Sequence, residues 1–115
     1  AVYNLVENAI KYNHPGGKVT VNIQQKKSLL NAAVSPAPAD CAFIEVSDTG
    51  IGISPEYQEK IFTPFFRVDK SRSRAMGGAG LGLALVNEIA RQHGGEVKVL
   101  KSDKNGSTIA LILPL

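Results

Sequence analysis

Residues 43–53 have the sequence FIEVSDTGIGI, in which an apolar segment runs directly into an aspartate and two glycines. The first five residues have the aromatic and β-branched composition of a strand. Gly50 and Gly52 allow backbone conformations and close approaches that side chains would block. This stretch therefore predicts a strand that Asp48 follows, and then a loop whose backbone can lie close to another group.

The chain on the N-terminal side of this stretch predicts one helix and one further strand. Apolar residues recur at helical spacing through the first ten residues, and HPGG at 14–17 supplies turn chemistry. Apolar and polar residues then alternate over 18–25, as in a strand. Residues 26–40 have no sustained period, so we expect this strand and the one at 42–47 to form a hairpin with a long tip.

Two more helices are predicted after the glycines. Ser54-Pro55-Glu56 resembles a helix start with Ser54 as the cap, so we expect a short helix from Pro55 to about Ile61. A longer helix is predicted from Leu81 to His93, because apolar residues recur on one face and two glycines then end the pattern.

Two further strands are predicted near the C-terminus, at Glu96 to Leu100 and at Ser107 to Leu113. Asn105-Gly106 between them is a strong hairpin signal. The succession of elements is αββααββ, which indicates the α+β fold class. We expect a two-layer α/β sandwich in which a mixed, mainly antiparallel sheet is covered by helices on one face.

Composition limits the kind of molecule. The 115 residues, 43% of them hydrophobic, suit a single domain at 1–115. The formal net charge of +3 is modest and acidic residues are interspersed, so nucleic acid is not an expected partner. With Cys41 as its one cysteine, the chain forms no internal disulfide. Because a helical pattern begins at once without a capping residue, we expect the domain to be truncated at its N-terminus.

Four motifs follow one another in an order that suits one nucleotide pocket. They are NLVENAIKYN at 4–13, DTGIGI at 48–53, FTPFFR at 62–67 and GGAGLGL at 77–83. A glycine-rich loop alone is a weak signal, but four motif types at compatible positions make coincidence a poor explanation. Over essentially its whole length the chain resembles the catalytic ATP-binding domain of bacterial two-component sensor histidine kinases, in the GHKL superfamily. The resemblance implies the Bergerat-type ATP-binding fold.

The resemblance implies roles for the first motif, whose matching residues are Asn4, Glu7, Asn8, Lys11 and Tyr12. Asn8 is implied as a Mg²⁺ ligand, and Asn4 as a further ligand or the group that holds metal-bound water. Lys11 would meet phosphate charge, Tyr12 would border the nucleotide, and Glu7 would act as a base or a contact on the phosphoacceptor side. An ordinary alternative stays open, in which the asparagines are solvated and Lys11 pairs with Glu7 at i,i+4 spacing.

The resemblance assigns Asp48, Gly50, Ile51, Gly52 and Ile53 to the adenine base. A carboxylate at the pocket edge can accept a hydrogen bond from the exocyclic amine of adenine, whereas guanine presents a carbonyl there. The glycines permit close approach, and the two isoleucines can form an apolar floor. The alternative for Asp48 is an Asx-turn into the glycines.

The last motif contains Gly78, Gly80, Leu81 and Gly82, just before the long helix. Backbone amides and a helix N-terminus there can face anionic phosphates. The segment between the third and fourth motifs is rich in arginine and lysine and predicts a lid that orders over the phosphates. Thr108 resembles a family position near adenine. ATP and Mg²⁺ are therefore the expected cofactors.

Neither histidine suits the role of phosphoacceptor, since His14 lies in a predicted turn and His93 at a helix end. We therefore expect the γ-phosphoryl group of ATP to go to a histidine on an upstream dimerisation and phosphoacceptor domain, with a response regulator beyond it. The resemblance implies a homodimeric full-length kinase, a monomer for this stretch alone, and a cytoplasmic location, as in the inner part of a membrane-anchored sensor. A GHKL serine kinase, a gyrase-like ATPase and a non-catalytic nucleotide-sensing interaction module remain open alternatives.

Overall fold

The computed structural model describes residues 2–28, 38–64 and 82–115. Within these ranges one antiparallel sheet has the strand order β1-β2-β4-β3, which confirms the predicted α+β class with a mainly antiparallel sheet. The elements are α1 (Val2–Lys11), β1 (Val19–Ser28), β2 (Ala39–Asp48), α2 (Gly82–Gln92), β3 (Glu96–Asp103) and β4 (Gly106–Pro114).

All four predicted strands are present, and each is longer than its sequence pattern. β1 and β2 pair from Val19 opposite Asp48 to Ser28 opposite Ala39, which confirms their predicted hairpin. Its tip, 29–37, lies outside the described residues. β4 pairs with β2 on one side and β3 on the other, so it is a central strand and is buried along most of its length.

Both helices lie on one face of the sheet, as predicted. They and the strands form a core in which each buried valine, leucine or isoleucine side chain contributes about 1.5–3 kcal/mol by its burial. The buried residues of this core are Leu5, Ala9, Val46, Val86, Ala90, Val97, Ile109 and Leu111. A second buried cluster lies on the opposite face and consists of Cys41, Phe43, Ala110 and Ile112. No helix among the described residues is long and apolar enough to span a membrane.

The predicted α-helix from Pro55 to about Ile61 is wrong. Pro55–Tyr57 and Lys60–Phe62 are two separate turns of 3₁₀-helix, and Ser54 makes no side-chain cap hydrogen bond. Forming the first turn of an α-helix costs conformational entropy, and a segment this short adds few hydrogen bonds to offset that cost. Single 3₁₀ turns are common connectors instead.

The end of α2 is as predicted, since Gly94 has a φ of +75° and the chain leaves the helix there. The predicted start at Leu81 lies outside the described residues, and the described helix begins at Gly82. The stop follows from glycine's ability to adopt a left-handed conformation with little strain.

The predicted hairpin between β3 and β4 is confirmed, with Lys104 and Asn105 as its two-residue loop. Gly106 begins β4 with a φ of +135°. A Cβ on Gly106 would overlap the backbone carbonyl oxygen of Asp48, so glycine is required where this hairpin meets the end of β2. β3 also contains a register shift between Val99 and Lys101.

Candidate nucleotide-binding site

Asp48 ends β2 and is held by donors from two directions. Its Oδ1 accepts hydrogen bonds from the backbone N–H of Gly50 at 2.9 Å and of Ser107 at 3.3 Å. Its Oδ2 accepts one from the Ser107 hydroxyl at 3.0 Å. The Asx-turn into the glycines is therefore present. Because each carboxylate oxygen has two acceptor positions, Oδ2 keeps capacity for a further donor, and the adenine role of Asp48 stays a prediction.

Ser107, rather than Thr108, lies beside the Asp48 carboxylate. Ser107 is 7% exposed and is on the helix-covered face. Thr108 is on the opposite face, where its hydroxyl lies 2.8 Å from that of Ser47, although it also borders the cavity described below. The sequence analysis did not identify Ser107. Alternate residues of a strand face the same side of a sheet, so the core residues Ile109 and Leu111 could have placed Ser107 on the helix-covered face.

The glycines after Asp48 lie against other parts of the backbone. A Cβ on Gly50 would overlap the carbonyl oxygen of Tyr12, and one on Gly52, whose φ is +75°, would overlap that of Asp103. Both positions therefore exclude larger residues, which confirms that this loop makes close backbone approaches, here to the chain itself.

The end of α1 is bound directly to this loop. The Tyr12 carbonyl accepts a hydrogen bond from the Ile51 N–H at 3.4 Å. Thr49 adds two contacts, since its hydroxyl donates to Asn13 Oδ1 at 3.0 Å and accepts from the Lys18 N–H at 2.9 Å. The structure thus brings the first two motifs together, in part through Asn13 and Thr49, which lie within the motifs but had no role assigned to them.

The candidate residues of the first motif are all half-buried. They are Asn4 and Asn8, predicted for the metal, Lys11, predicted for phosphate, Glu7, predicted as a base or a contact on the phosphoacceptor side, and Tyr12 just after the helix. Leu5 and Ala9 are buried in the core, which places Asn4 and Asn8 about 100° around the helix from the buried stripe. Their amides are therefore at the rim of the helix–sheet contact.

Lys11 makes the ion pair that the ordinary alternative predicted. Its Nζ lies 3.8 Å from Oε1 of Glu7, and the two side chains are 28% and 46% exposed. A partly exposed i,i+4 pair of this kind contributes about 0.3–0.5 kcal/mol to stability. Lys11 would therefore lose little by leaving Glu7 to contact a phosphate.

Ile53 joins the loop to the core, and Ile51 does not. Ile53 is half-buried and packs against the core cluster, whereas Ile51 is 44% exposed. The Ile53 N–H donates to the Ser102 hydroxyl at 2.6 Å, and its carbonyl accepts from the Gln58 side-chain amide at 3.1 Å. Ser102 and Gln58 are further loop contacts that the sequence did not indicate.

A cavity of about 190 Å³ opens beside Asp48 at the β3–β4 turn, and its lining comprises Asp48, Lys101, Asp103, Asn105, Gly106, Ser107 and Thr108. Ligand pockets usually measure about 300–1,000 Å³, so this cavity accommodates only part of a nucleotide.

The structure describes one residue of the motif that was predicted to bind phosphate, Gly82. Gly82 is exposed at the start of α2, and a Cβ there would meet none of the residues that the structure describes within 4 Å. Gly78, Gly80, Leu81 and the predicted basic lid lie outside the described residues. No group of three His, Cys, Asp or Glu side chains within the described ranges could hold a metal ion.

All 115 residues match the family model described as "Histidine kinase-, DNA gyrase B-, and HSP90-like ATPase". The chain is 43% identical to the sensor-like histidine kinase SenX3 of Mycobacterium tuberculosis, over 99% of this chain and 25% of SenX3. It is 39% identical to the sensor histidine kinase WalK of Bacillus subtilis, over 96% of this chain and 16% of WalK. The chain thus spans a quarter or less of the length of these relatives.

Solved structures agree with the sequence matches. The mycobacterial sensor histidine kinase MprB superposes with a TM-score of 0.75 at 32% identity, over 98% of this chain and 68% of that one. Full-length ShkA in complex with AMPPNP gives 0.66 at 26% identity, over 98% of this chain and 20% of that one. The resemblance to sensor histidine kinases is confirmed, and the chain belongs to the histidine kinase-, DNA gyrase B- and HSP90-like ATPase family.

Proposed function

We propose that this chain binds ATP together with Mg²⁺ and donates the γ-phosphoryl group to a histidine on a separate domain of a sensor histidine kinase. The observation that carries the proposal is the bonding of the end of α1 to the glycine loop, through the Tyr12 carbonyl and the Ile51 N–H. It brings the motif assigned to metal and phosphate next to the motif assigned to the base. The named relatives are sensor histidine kinases, which supports the choice within the family.

The base site favours adenine by its hydrogen-bonding character. The Asp48 carboxylate accepts from three donors, the N–H groups of Gly50 and Ser107 and the Ser107 hydroxyl, and an exocyclic amine would be a fourth. A guanine carbonyl would instead place an acceptor against an acceptor and leave a polar group unpaired. ShkA was solved with an adenine nucleotide analogue, which is in line with this assignment for a relative of the same fold.

The amide oxygens on α1 are suitable ligands for Mg²⁺ but would not hold the ion without a nucleotide. Mg²⁺ is usually bound by one or two protein oxygens together with substrate phosphates and water. The half-buried amides of Asn4 and Asn8, one helical turn apart, offer one or two such oxygens, and the described residues contain no carboxylate cluster to compete. Mg²⁺ would supply charge that stabilises the transferred phosphoryl group.

The acceptor and the remaining partners would lie outside this chain. His14 is exposed in the turn after α1, and His93 is exposed at the end of α2, so neither has the long-helix setting of a phosphoacceptor. We propose an upstream dimerisation domain as acceptor, a homodimer as the full-length kinase, a response regulator as the next partner, and a cytoplasmic position for this domain.

The test is a transfer assay with ATP labelled at the γ-phosphate. The chain is mixed with a phosphoacceptor domain from its own full-length protein, and the product is treated with acid. Acid-labile label on that domain is expected, because a phosphohistidine hydrolyses readily in acid. Acid-stable label would indicate the serine-kinase alternative, and free phosphate without labelled protein would indicate an ATPase. ATP binding with no turnover at all would favour the nucleotide-sensing module.

A further inference from the structure

β3 contains one extra residue close to the glycine loop. Up to Val99 the strand alternates regularly and its valines face the core. Beyond this point Leu100 is inserted, and Lys101 takes the partner on β4 that Leu100 would have in an unbroken ladder. Ser102 consequently lies opposite Ser107 on the helix-covered face. A bulge of this kind changes which side chains face each side of a sheet. Here it places Ser102 on the helix-covered face, where Lys101 would lie in an unbroken strand.

Ser102 uses this position to bind the glycine loop. Its Oγ accepts a hydrogen bond from the Ile53 N–H at 2.6 Å. The preceding residue, Gly52, lies against the carbonyl of Asp103 so closely that a Cβ would overlap it. The end of β3 and the end of the loop are therefore in direct contact, and Ser102 supplies the polar part of that contact.

The loop is bound at both of its ends. At its start, Asp48 Oδ1 accepts from the Gly50 N–H at 2.9 Å, and at its end Ser102 accepts from Ile53. Between these points the Ile51 N–H reaches the Tyr12 carbonyl at the longer distance of 3.4 Å. A loop that is fixed before its ligand arrives loses less conformational freedom on binding.

We infer that Ser102 is a positioning residue for nucleotide binding, which fixes the Gly52-Ile53 peptide against the base. This inference rests on the ATP-binding function proposed above. Ser102 acts through the loop backbone and is not a catalytic residue. Removing its hydroxyl leaves the Ile53 N–H without its acceptor and releases one end of the loop.

The test compares three variants of this chain by calorimetric titration with ATP and Mg²⁺. Ser102→Ala should raise Kd about three- to tenfold, the equivalent of one hydrogen bond. Ser102→Thr keeps the hydroxyl and should bind within about twofold of the parent. Ser54→Ala is the matched control, because Ser54 is exposed beside the same loop and makes no cap hydrogen bond. Hydrogen exchange of the Ile53 amide should quicken in Ser102→Ala only.

The outcomes separate positioning from stability. If Ser102→Ala unfolds at a lower temperature but binds ATP like the parent, Ser102 only stabilises the fold and the inference fails. If the parent itself binds no ATP, the proposed function fails and the inference with it. Should Ser102→Ala not fold, Ser102→Cys provides the same comparison, since a thiol fills the space but accepts hydrogen bonds weakly.

Discussion

Replacing Asp48 by asparagine tests the base site, because it changes hydrogen-bonding character at nearly constant shape. An asparagine carbonyl can take over both bonds that Oδ1 accepts, from Gly50 at 2.9 Å and from the Ser107 N–H at 3.3 Å. The other oxygen becomes an amide nitrogen, and the Ser107 hydroxyl, now 3.0 Å from it, can rotate to accept instead of donate. The fold thus keeps the same number of hydrogen bonds.

Asp48→Asn should therefore affect folding less than it affects ATP binding. The fold loses only the charge assistance of its bonds, so we expect the free energy of unfolding to fall by about 1 kcal/mol. The nucleotide loses its acceptor, and the amine of adenine then faces another donor. Such a mismatch costs about 1.5–3 kcal/mol, which corresponds to a Kd raised about 10- to 150-fold.

The assay is calorimetric titration of ATP, with and without Mg²⁺, alongside urea unfolding of each protein. Asp40→Asn is the matched control, because Asp40 lies at the other end of β2, forms an exposed pair with Lys27 at 3.2 Å and changes the net charge equally. Parent-like affinity in Asp48→Asn would refute the adenine assignment. An equal loss in Asp40→Asn would refute it too, since the effect would then be one of net charge.

Three further substitutions test other parts of the site. Gly82→Ala should leave the fold as stable as the parent or up to about 1 kcal/mol more stable in thermal unfolding, because a Cβ there meets no described residue within 4 Å; titration should show weaker ATP binding with adenosine binding unchanged. Gly50→Ala should instead lower the free energy of unfolding by about 1–3 kcal/mol in urea and abolish tight binding, because its Cβ overlaps the Tyr12 carbonyl. Lys11→Met should weaken the binding of ATP several-fold relative to that of adenosine; an equal effect of Glu7→Gln would show that their ion pair, not a phosphate contact, is responsible.

The sheet was predictable because its signals are local. Alternation in the strands, the Asn105-Gly106 turn and the glycines after α2 each describe a short stretch, and the structure confirms all of them. The segment from Pro55 was not predictable in the same way. Its residues resemble a helix start, but whether a first turn propagates depends on contacts that the pattern does not show, such as that of the Gln58 side chain with the Ile53 carbonyl.

The candidate site was predictable in its motifs and less so in its supporting residues. Asp48 and the glycines were identified because their chemistry is unusual for a strand end. Asn13 and Thr49 were not, because their role depends on a contact between segments distant in sequence. The position of Ser102 was not predictable, because the spacing of Val97 and Val99 predicts that Lys101 faces the helices. The residue types around Leu100 do not indicate that a residue is inserted there.

The central position of β4 also sets the order in which the domain can assemble during synthesis. β1 and β2 can pair early, but β3 reaches them only through β4, which follows all three in sequence. Asp48 and Ser107 are 59 residues apart. At about 5–20 residues per second, a ribosome makes Ser107 some 3–12 s after Asp48. For that interval the growing chain exposes an edge of β2, so the Asp48 carboxylate acquires its Ser107 donors last, long after the Gly50 N–H is available to it.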